Sequence, residues 1–261
     1  MPIKSNIQWT DATHNFWSGC KKVSAGCKFC YMHRILDGNQ VDPNVVRRAN
    51  NSYFYRPIDW KEGRLIFTCS MSDFFIEEAD PWRNEAWKVI RATPQHRWLI
   101  LTKRPERIVD CLPDDWDEGY KNVALGVTIE NQEAVARMHV LADIPARVRF
   151  ISAEPLLEDV DLTELSPNGD LSLERMNWVI IGGESGNETG KYRYRITEIP
   201  WIERMIQDVR NHSKAGVFVK QLGTYQAVKL GLKDRHGGNI DEFPSSLRIR
   251  ELMTHPKKMT V

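Results

Sequence analysis

The sequence lacks a strong charge imbalance, a long apolar run and the apolar core of a signal peptide. Its 261 residues carry 36 basic and 35 acidic side chains, a net charge of +1. Such a balance gives no overall attraction to nucleic acid or to an anionic membrane. Its longest apolar runs, such as residues 98–101, are far too short to span a bilayer. Residues 1–8 lack the apolar core of a signal peptide. We therefore expect a cytoplasmic protein without a membrane partner.

Cysteine is scarce too, and its distribution is uneven. Three of the five cysteines, Cys20, Cys27 and Cys30, share one short stretch with the spacing C-x6-C-x2-C. In a reducing compartment, clustered cysteines are metal ligands or catalytic groups more often than disulfides. A closed structural metal site normally uses four protein ligands, so three thiolates leave one position open to another molecule. The isolated Cys69 and Cys111 are expected to be core or surface thiols.

The cysteine stretch has two interpretations that the sequence leaves open. One is an iron–sulfur cluster held by the three cysteines. The other is a zinc site completed by His33, which lies two residues beyond Cys30 in a Cys-x2-His arrangement. A zinc knuckle of this kind would serve folding or contact with nucleic acid. The motif opens a long α/β chain and not a small zinc module, which favours the cluster.

Short β-rich runs alternate with amphipathic segments along most of the chain. This alternation predicts an α/β fold with a parallel sheet, either a complete or partial TIM-like (β/α) barrel or an open doubly wound sheet. The predicted strands are residues 15–18, 65–70, 97–102, 123–128, 147–152, 178–182 and 216–220. The predicted helices are residues 81–93, 131–142 and 199–211, where apolar residues recur at three- and four-residue steps.

Polar side chains gather where the predicted strands end. Three strands finish with a small or hydroxyl residue, one intervening residue and then a glutamate, and these glutamates are Glu130, Glu154 and Glu184. For any one of them alone, an exposed loop residue or a partner of a surface Arg or Lys is the favoured interpretation, but the pattern occurs three times, which favours a functional role for at least one. Further strand ends add Ser72, Asp73, Lys103, Arg104, Lys220 and Gln221. In a barrel, the carboxyl ends of the strands line the active site. An active site lined by these carboxylates and cations would suit a zwitterionic ligand.

The cysteine stretch resembles that of the radical S-adenosylmethionine (SAM) superfamily. In that superfamily three cysteines hold a [4Fe–4S] cluster, and the open iron binds the amino and carboxylate groups of SAM. This chain keeps Cys27-Lys-Phe-Cys30-Tyr31, while its first gap is longer than the common C-x3-C-x2-C spacing. The superfamily's Gly-Gly-Glu-like motif usually ends the second strand, whereas Gly182-Gly183-Glu184 follows about the sixth predicted strand here.

A closer resemblance covers nearly the whole chain. A series of motifs in one order is similar to a phage-associated family with a three-cysteine motif. These motifs are the cysteine stretch, Ser70-Met-Ser72-Asp73, Thr102-Lys103-Arg104-Pro105, Ser152-Ala-Glu154-Pro155, Gly182-Gly183-Glu184 and Lys220-Gln221-Leu-Gly223. The Thr-Lys-Arg-Pro strand end is also similar, more weakly, to spore photoproduct lyase and related DNA-repair radical enzymes.

The resemblance implies a set of roles. It implies a partial radical SAM barrel over residues 1–223, with residues 224–261 as a C-terminal extension packed on it. It implies an enzyme that cleaves SAM to a 5′-deoxyadenosyl radical, with a nucleobase, nucleotide or nucleic acid as substrate and with flavodoxin or ferredoxin as electron donor; a partner protein is left open. Cys20, Cys27 and Cys30 would hold the cluster. SAM would contact Ser72, Lys103, Glu130, Glu154, Gly182, Gly183 and Glu184, and the substrate would contact Asp73, Arg104, Lys220 and Gln221. No residue is assigned as the catalytic hydrogen donor.

Overall fold

The computed structural model describes residues 5–254, in which strands and helices alternate. The strands are β1 (Ala12–His14), β2 (Trp17–Ser18), β3 (Arg47–Arg48), β4 (Leu65–Thr68), β5 (Arg97–Thr102), β6 (Val123–Thr128), β7 (Arg149–Ala153), β8 (Trp178–Gly182) and β9 (Gly216–Gln221). The helices are α1 (Tyr31–Gly38), α2 (Asn51–Phe54), α3 (Asp80–Ala92), α4 (Ala136–Asp143), α5 (Ile199–His212) and α6 (Thr224–Leu230). Within this part of the chain, no helix is long and apolar enough to cross a membrane.

The chain folds into two compact units. The first contains the described residues up to 23, together with residues 31–126 and 144–147. Here β1, β4 and β5 are parallel neighbours in that order, with Ala12 opposite Ile66 and Leu65 opposite Arg97. An aromatic core fills this unit, and the rings of Phe16 and Trp98 stack with their centroids 5.6 Å apart. Burial of such large rings is the main source of its stability.

The second unit contains residues 24–30 and 127–143 and the described residues from 148 onward. In this unit β7, β8 and β9 are parallel neighbours in sequence order. All five residues of β8 are buried, as expected for a parallel strand covered on both faces. Helix α5 joins β8 to β9 and buries residues at helical spacing, from Ile202 to Val209. The unit therefore brings the ends of three adjacent strands to one edge.

The expected alternation and parallel pairing of strands are confirmed, with local differences. The first strand of the sheet is β1 and not residues 15–18, because Asn15 turns out of line and accepts a hydrogen bond from the Met71 N–H at 2.7 Å. Residues of β2 pair antiparallel with β3 instead. The predicted helix at 131–142 begins as a 3₁₀ turn and becomes α4 at Ala136. Helices α1, α2 and α6 were not among the predicted helices. Barrel closure and a domain boundary at residue 223 stay predictions.

Candidate functional site

The end of the cysteine stretch is a tight turn that leads directly into a helix. A 3₁₀ turn spans Ala25–Cys27, and the Cys27 N–H donates to the Ser24 carbonyl at 3.0 Å. The Cys30 N–H donates to the Cys27 carbonyl at 3.4 Å, and α1 begins at the next residue. Cys27 and Cys30 are therefore one turn apart beside the positive end of a helix, where the helix dipole favours negative charge.

The three clustered thiols differ from the two isolated ones in exposure. Cys20, Cys27 and Cys30 are partly exposed thiols outside any disulfide of the described residues, whereas the thiols of Cys69 and Cys111 are buried. Burial raises the pKa of the Cys69 thiol to about 12 and also raises that of Cys111. These two thiols therefore stay protonated at neutral pH and are poor metal ligands.

No metal-binding geometry is preformed. Within residues 5–254, no group of three or more His, Cys, Asp or Glu side chains is arranged to hold a metal ion. His33, the fourth ligand of the zinc alternative, is buried on α1. The zinc interpretation therefore gains no support. The assignment of Cys20, Cys27 and Cys30 to a cluster stays a prediction, and the chemistry of three accessible thiols is compatible with it.

Glu130, just after β6, is completely buried and binds the backbone next to Cys27. Its Oε1 accepts a hydrogen bond from the Ser24 hydroxyl and one from the Gly26 N–H at 3.3 Å. Its Oε2 accepts a hydrogen bond from Arg137 Nη1 at 2.6 Å. A Cβ on Gly26 would lie 3.1 Å from the Glu130 carboxylate, so a larger residue here would require the carboxylate to shift by a few tenths of an ångström. Both oxygens of Glu130 are thus engaged by protein donors.

Glu184, after β8, is engaged in the same way. Its side chain is 6% exposed and forms an ion pair with Arg195. Arg195 also reaches the cysteine stretch, because its Nη1 donates to the Ala25 carbonyl at 2.9 Å. Arg195 and Arg137 were not predicted as site residues. They lie eleven and seven residues after their glutamates in chain order, a spacing that carries no sequence signal.

Glu154, after β7, is the one of the three glutamates that keeps partial exposure. Its Oε1 lies 2.7 Å from Lys220 Nζ at the end of β9, and the two side chains are 13% and 20% exposed. A Cβ on Gly182 would lie 2.7 Å from the same oxygen, so the carboxylate rests directly on β8. Gln221 donates to the Gly183 carbonyl at 2.7 Å. The predicted residues of β7, β8 and β9 therefore do come together.

In the first unit, a second group of predicted residues surrounds Asp73. Its carboxylate accepts hydrogen bonds from the Thr102 hydroxyl at 2.7 Å, from the Lys103 N–H at 3.0 Å and from Arg104 at 3.0 Å. Arg104 Nη1 also lies 3.9 Å from the Cys20 sulfur. Burial opposes the charge on Arg104, but Asp73 and Cys20 outweigh it and raise its pKa. Asp73 thus fixes a permanent cation beside a predicted cluster ligand.

Two further predicted residues of this unit have observed partners. The Ser72 hydroxyl donates to the Gly19 carbonyl at 2.5 Å, next to Cys20. Arg104 Nη2 donates to the Lys21 carbonyl at 2.9 Å. Ser72 and Arg104 therefore hold the backbone on both sides of Cys20. Their predicted contacts with SAM or substrate, like those of the other site residues, stay predictions.

Several solved structures resemble this chain at low sequence identity. A mutant of spore photoproduct lyase with bound AdoMet and dinucleoside spore photoproduct is 17% identical with a TM-score of 0.46, and the match covers 78% of this chain and 62% of that one. A second cysteine mutant of the lyase is 16% identical with a TM-score of 0.49, and the match covers 82% of this chain and 65% of that one. A tyrosine mutant of the lyase is 15% identical with a TM-score of 0.48, and the match covers 81% of this chain and 64% of that one. This chain thus spans less than two thirds of the length of these lyase structures.

Sequence comparison gives a family and no curated relative. No curated protein matches the chain. The family described as "Protein of unknown function (DUF5131)" matches residues 4–253, which is nearly the whole sequence. A phage association does not follow from this match. The chain belongs to the DUF5131 family.

Proposed function

We propose that this protein is a radical SAM enzyme with a [4Fe–4S] cluster on Cys20, Cys27 and Cys30. When bound, such a cluster supplies the electron that cleaves SAM to methionine and a 5′-deoxyadenosyl radical, which takes a hydrogen atom from the substrate. The chain's own residues bind, orient and shield the reactants. The observation that carries the proposal is the attachment of the cysteine turn to the strand-end Glu130 and to Arg195, the partner of the strand-end Glu184.

The chemistry of the cysteine stretch fits an anionic cluster. Its three thiols are partly exposed, whereas the chain's two other thiols are buried. Arg104 lies beside Cys20, and the first turn of α1 follows Cys30 directly. Cations and helix amino termini favour the thiolate form that iron requires. The residues present therefore supply both the ligands and the positive environment.

Among the predicted SAM contacts, Glu154 and Lys220 are the best placed to bind the amino acid part of SAM. They form an ion pair of 2.7 Å that remains partly exposed. A carboxylate and an ammonium group side by side match the ammonium and carboxylate of the methionyl group. Glu130 and Glu184 already bind protein donors. We propose that these two act by holding the cysteine turn, and that Glu154 and Lys220 contact SAM.

We propose a nucleobase, nucleotide or nucleic acid as the substrate class. A cleft of about 490 Å³ lies in the second unit, and its lining includes Thr224, Lys233, Arg235 and the carboxylate of Glu188. The two cations outnumber the one carboxylate, and cations and hydroxyls are the groups that contact phosphate. The cluster would be reduced by an external donor of the flavodoxin or ferredoxin class.

Anaerobic reconstitution with iron and sulfide tests the proposal. We expect the wild-type protein to bind about four iron and four sulfide per chain. Cys20→Ala, Cys27→Ala and Cys30→Ala should each lose most of the iron, since each removes one ligand. Metal analysis and the visible absorption of the cluster measure the result.

Two variants serve as controls for ligation. Cys111→Ala should keep the full iron content, because this buried thiol lies outside the cysteine stretch. His33→Ala should keep it too. A colourless protein with about one zinc per chain, lost on replacement of His33, would overturn the proposal in favour of a zinc-stabilised nucleic-acid-binding protein.

A further inference from the structure

The three residues before Cys27 are held by one side chain at the end of β6 and by another from the loop between β8 and α5. Ser24 and Gly26 bind Glu130, and the Ala25 carbonyl binds Arg195. We infer that Arg195, fixed by Glu184, is a positioning residue that sets the orientation of the Cys27 and Cys30 thiols. Its importance for catalysis rests on the proposed function, whereas its hold on the turn does not.

Glu184 leaves the Arg195 guanidinium little freedom. The Arg195 N–H and Nε each donate to Glu184 Oε2 at 2.8 Å. Arg195 Nη2 donates to Oε1 at 2.5 Å. One carboxylate that is 6% exposed thus accepts three hydrogen bonds from a single arginine. Charge-assisted bonds with this bidentate geometry are stronger and more directional than an ordinary surface ion pair.

The remaining nitrogen of the guanidinium is aimed at the cysteine turn. Arg195 Nη1 donates to the Ala25 carbonyl at 2.9 Å. The same guanidinium lies 5.2 Å from the centroid of the Phe29 ring, within the range of a cation–π interaction. Ala25 precedes Cys27, and Phe29 lies between Cys27 and Cys30. Arg195 therefore contacts the turn on both sides of Cys27.

This arrangement changes the role expected of the Gly182-Gly183-Glu184 motif. Both Glu184 oxygens accept hydrogen bonds from Arg195. A ligand amine could bind Glu184 only by displacing the arginine that holds the Ala25 carbonyl. Glu184 is therefore assigned to support Arg195, and through it the cysteine turn.

Hydrogen exchange of the metal-free protein tests the inference without any cluster. Arg195→Gln should accelerate exchange in residues 24–30 by about tenfold to a hundredfold, the range set by loss of a charged hydrogen bond. Glu184→Gln should act in the same direction. Arg195→Lys should fall between wild type and Arg195→Gln, and it keeps the test meaningful if Arg195→Gln folds poorly. Arg193→Gln, an exposed arginine in the same loop, should match wild type.

Thiol alkylation followed by mass spectrometry gives a second readout on the same metal-free variants. Rates at Cys27 and Cys30 should change in Arg195→Gln, while the rate at Cys20 stays constant, because Cys20 is held by Ser72 and Arg104 instead. Unchanged exchange and unchanged alkylation in Arg195→Gln would overturn the inference. Equal changes at all three cysteines would also overturn it, since they would report general unfolding.

The reconstituted protein connects the inference to the proposed function. In Arg195→Gln, we expect a shifted reduction potential and an altered electron paramagnetic resonance spectrum at a melting temperature close to that of Arg193→Gln. A role confined to stability would lower the melting temperature and leave the potential unchanged, which would contradict positioning. If wild-type protein binds no cluster, the proposed function fails, and the exchange and alkylation results still decide whether Arg195 positions the turn.

Discussion

At the scale of single residues, the partners of a carboxylate decide what it is free to do. Glu130 and Glu184 have both oxygens engaged by arginine, hydroxyl or backbone donors. Glu154 is partly exposed, and its partners are the Lys220 ammonium group at Oε1 and the Ser152 hydroxyl, which donates to Oε2 at 3.2 Å. Breaking a buried pair leaves an uncompensated charge and is expensive, whereas a partly exposed pair can exchange partners with a ligand. Three glutamates in equivalent strand-end positions therefore have different chemistry.

A pH dependence of stability follows from His14 on β1. Burial lowers its pKa from 6.5 to about 3, with Nε2 hydrogen-bonded to the Phe54 carbonyl at 3.2 Å and no partner for Nδ1 among the described residues. Below pH 6.5 the unfolded chain binds a proton that the folded protein does not. The contribution of His14 to the free energy of unfolding should therefore fall by up to about 1.4 kcal/mol per pH unit as the pH drops from 6.5 toward 3.

Urea unfolding at a series of pH values measures this slope. In His14→Gln, the free energy of unfolding should depend less steeply on pH between about pH 6.5 and 4, because the contribution of His14 is removed. Wild-type protein unfolded in the same buffers is the reference for this comparison. Equal slopes in wild type and His14→Gln would show that the folded protein accommodates the charged imidazole.

At the scale of elements, the C-terminal segment protects the edge of β9. The Val219 N–H donates to the Ile249 carbonyl and the Glu251 N–H donates to the Val217 carbonyl, both at 2.8 Å. Glu251 also forms an ion pair with Arg210 on α5 at 2.7 Å. An uncovered strand edge is a template for pairing with another chain. The tail therefore extends the sheet of the second unit and shields it.

Removal of the tail should destabilise this unit and promote association. Deletion of residues 248–261 removes the two backbone hydrogen bonds and the ion pair, at an expected cost of at least about 2 kcal/mol. Urea unfolding measures the stability, and size-exclusion chromatography over a range of concentrations measures association. Deletion of residues 255–261 alone keeps all these contacts and is the matched control. Monomeric, fully stable protein after the longer deletion would show that β9 needs no cover.

At the scale of the whole molecule, its class depends on whether it binds SAM. Glu154→Gln should weaken binding of SAM to the cluster-loaded protein by about tenfold to a hundredfold, because it removes the charge that would pair with the methionyl ammonium group. Isothermal titration under anaerobic conditions measures the affinity. Glu158→Gln changes an exposed carboxylate in the same loop and should have little effect. A cluster-loaded wild-type protein without SAM affinity would instead be an electron-transfer or structural iron–sulfur protein.

Much of the architecture is predictable from the sequence because it depends on local patterns. The mostly apolar strands β5, β6 and β8 are largely or fully buried and match the predicted strands. The position of β1 was missed because a strand of three residues is too short to show the two-residue alternation of a β-strand. The cysteine stretch and the strand-end carboxylates were also predicted from local patterns, because each is a short motif of neighbouring residues in the sequence.

The sequence by itself determined which chemical groups are present and that they follow strands. Only the tertiary structure decided how they are used, because Arg137 and Arg195 meet Glu130 and Glu184 through folding and not through any sequence period. Those contacts attach Glu130 directly, and Glu184 through Arg195, to the cysteine turn, while the ion pair of Glu154 with Lys220 stays partly exposed. The physical reason is that hydrogen-bond partners and exposure are properties of the folded chain, and they decide whether a charge is structural or available to a ligand.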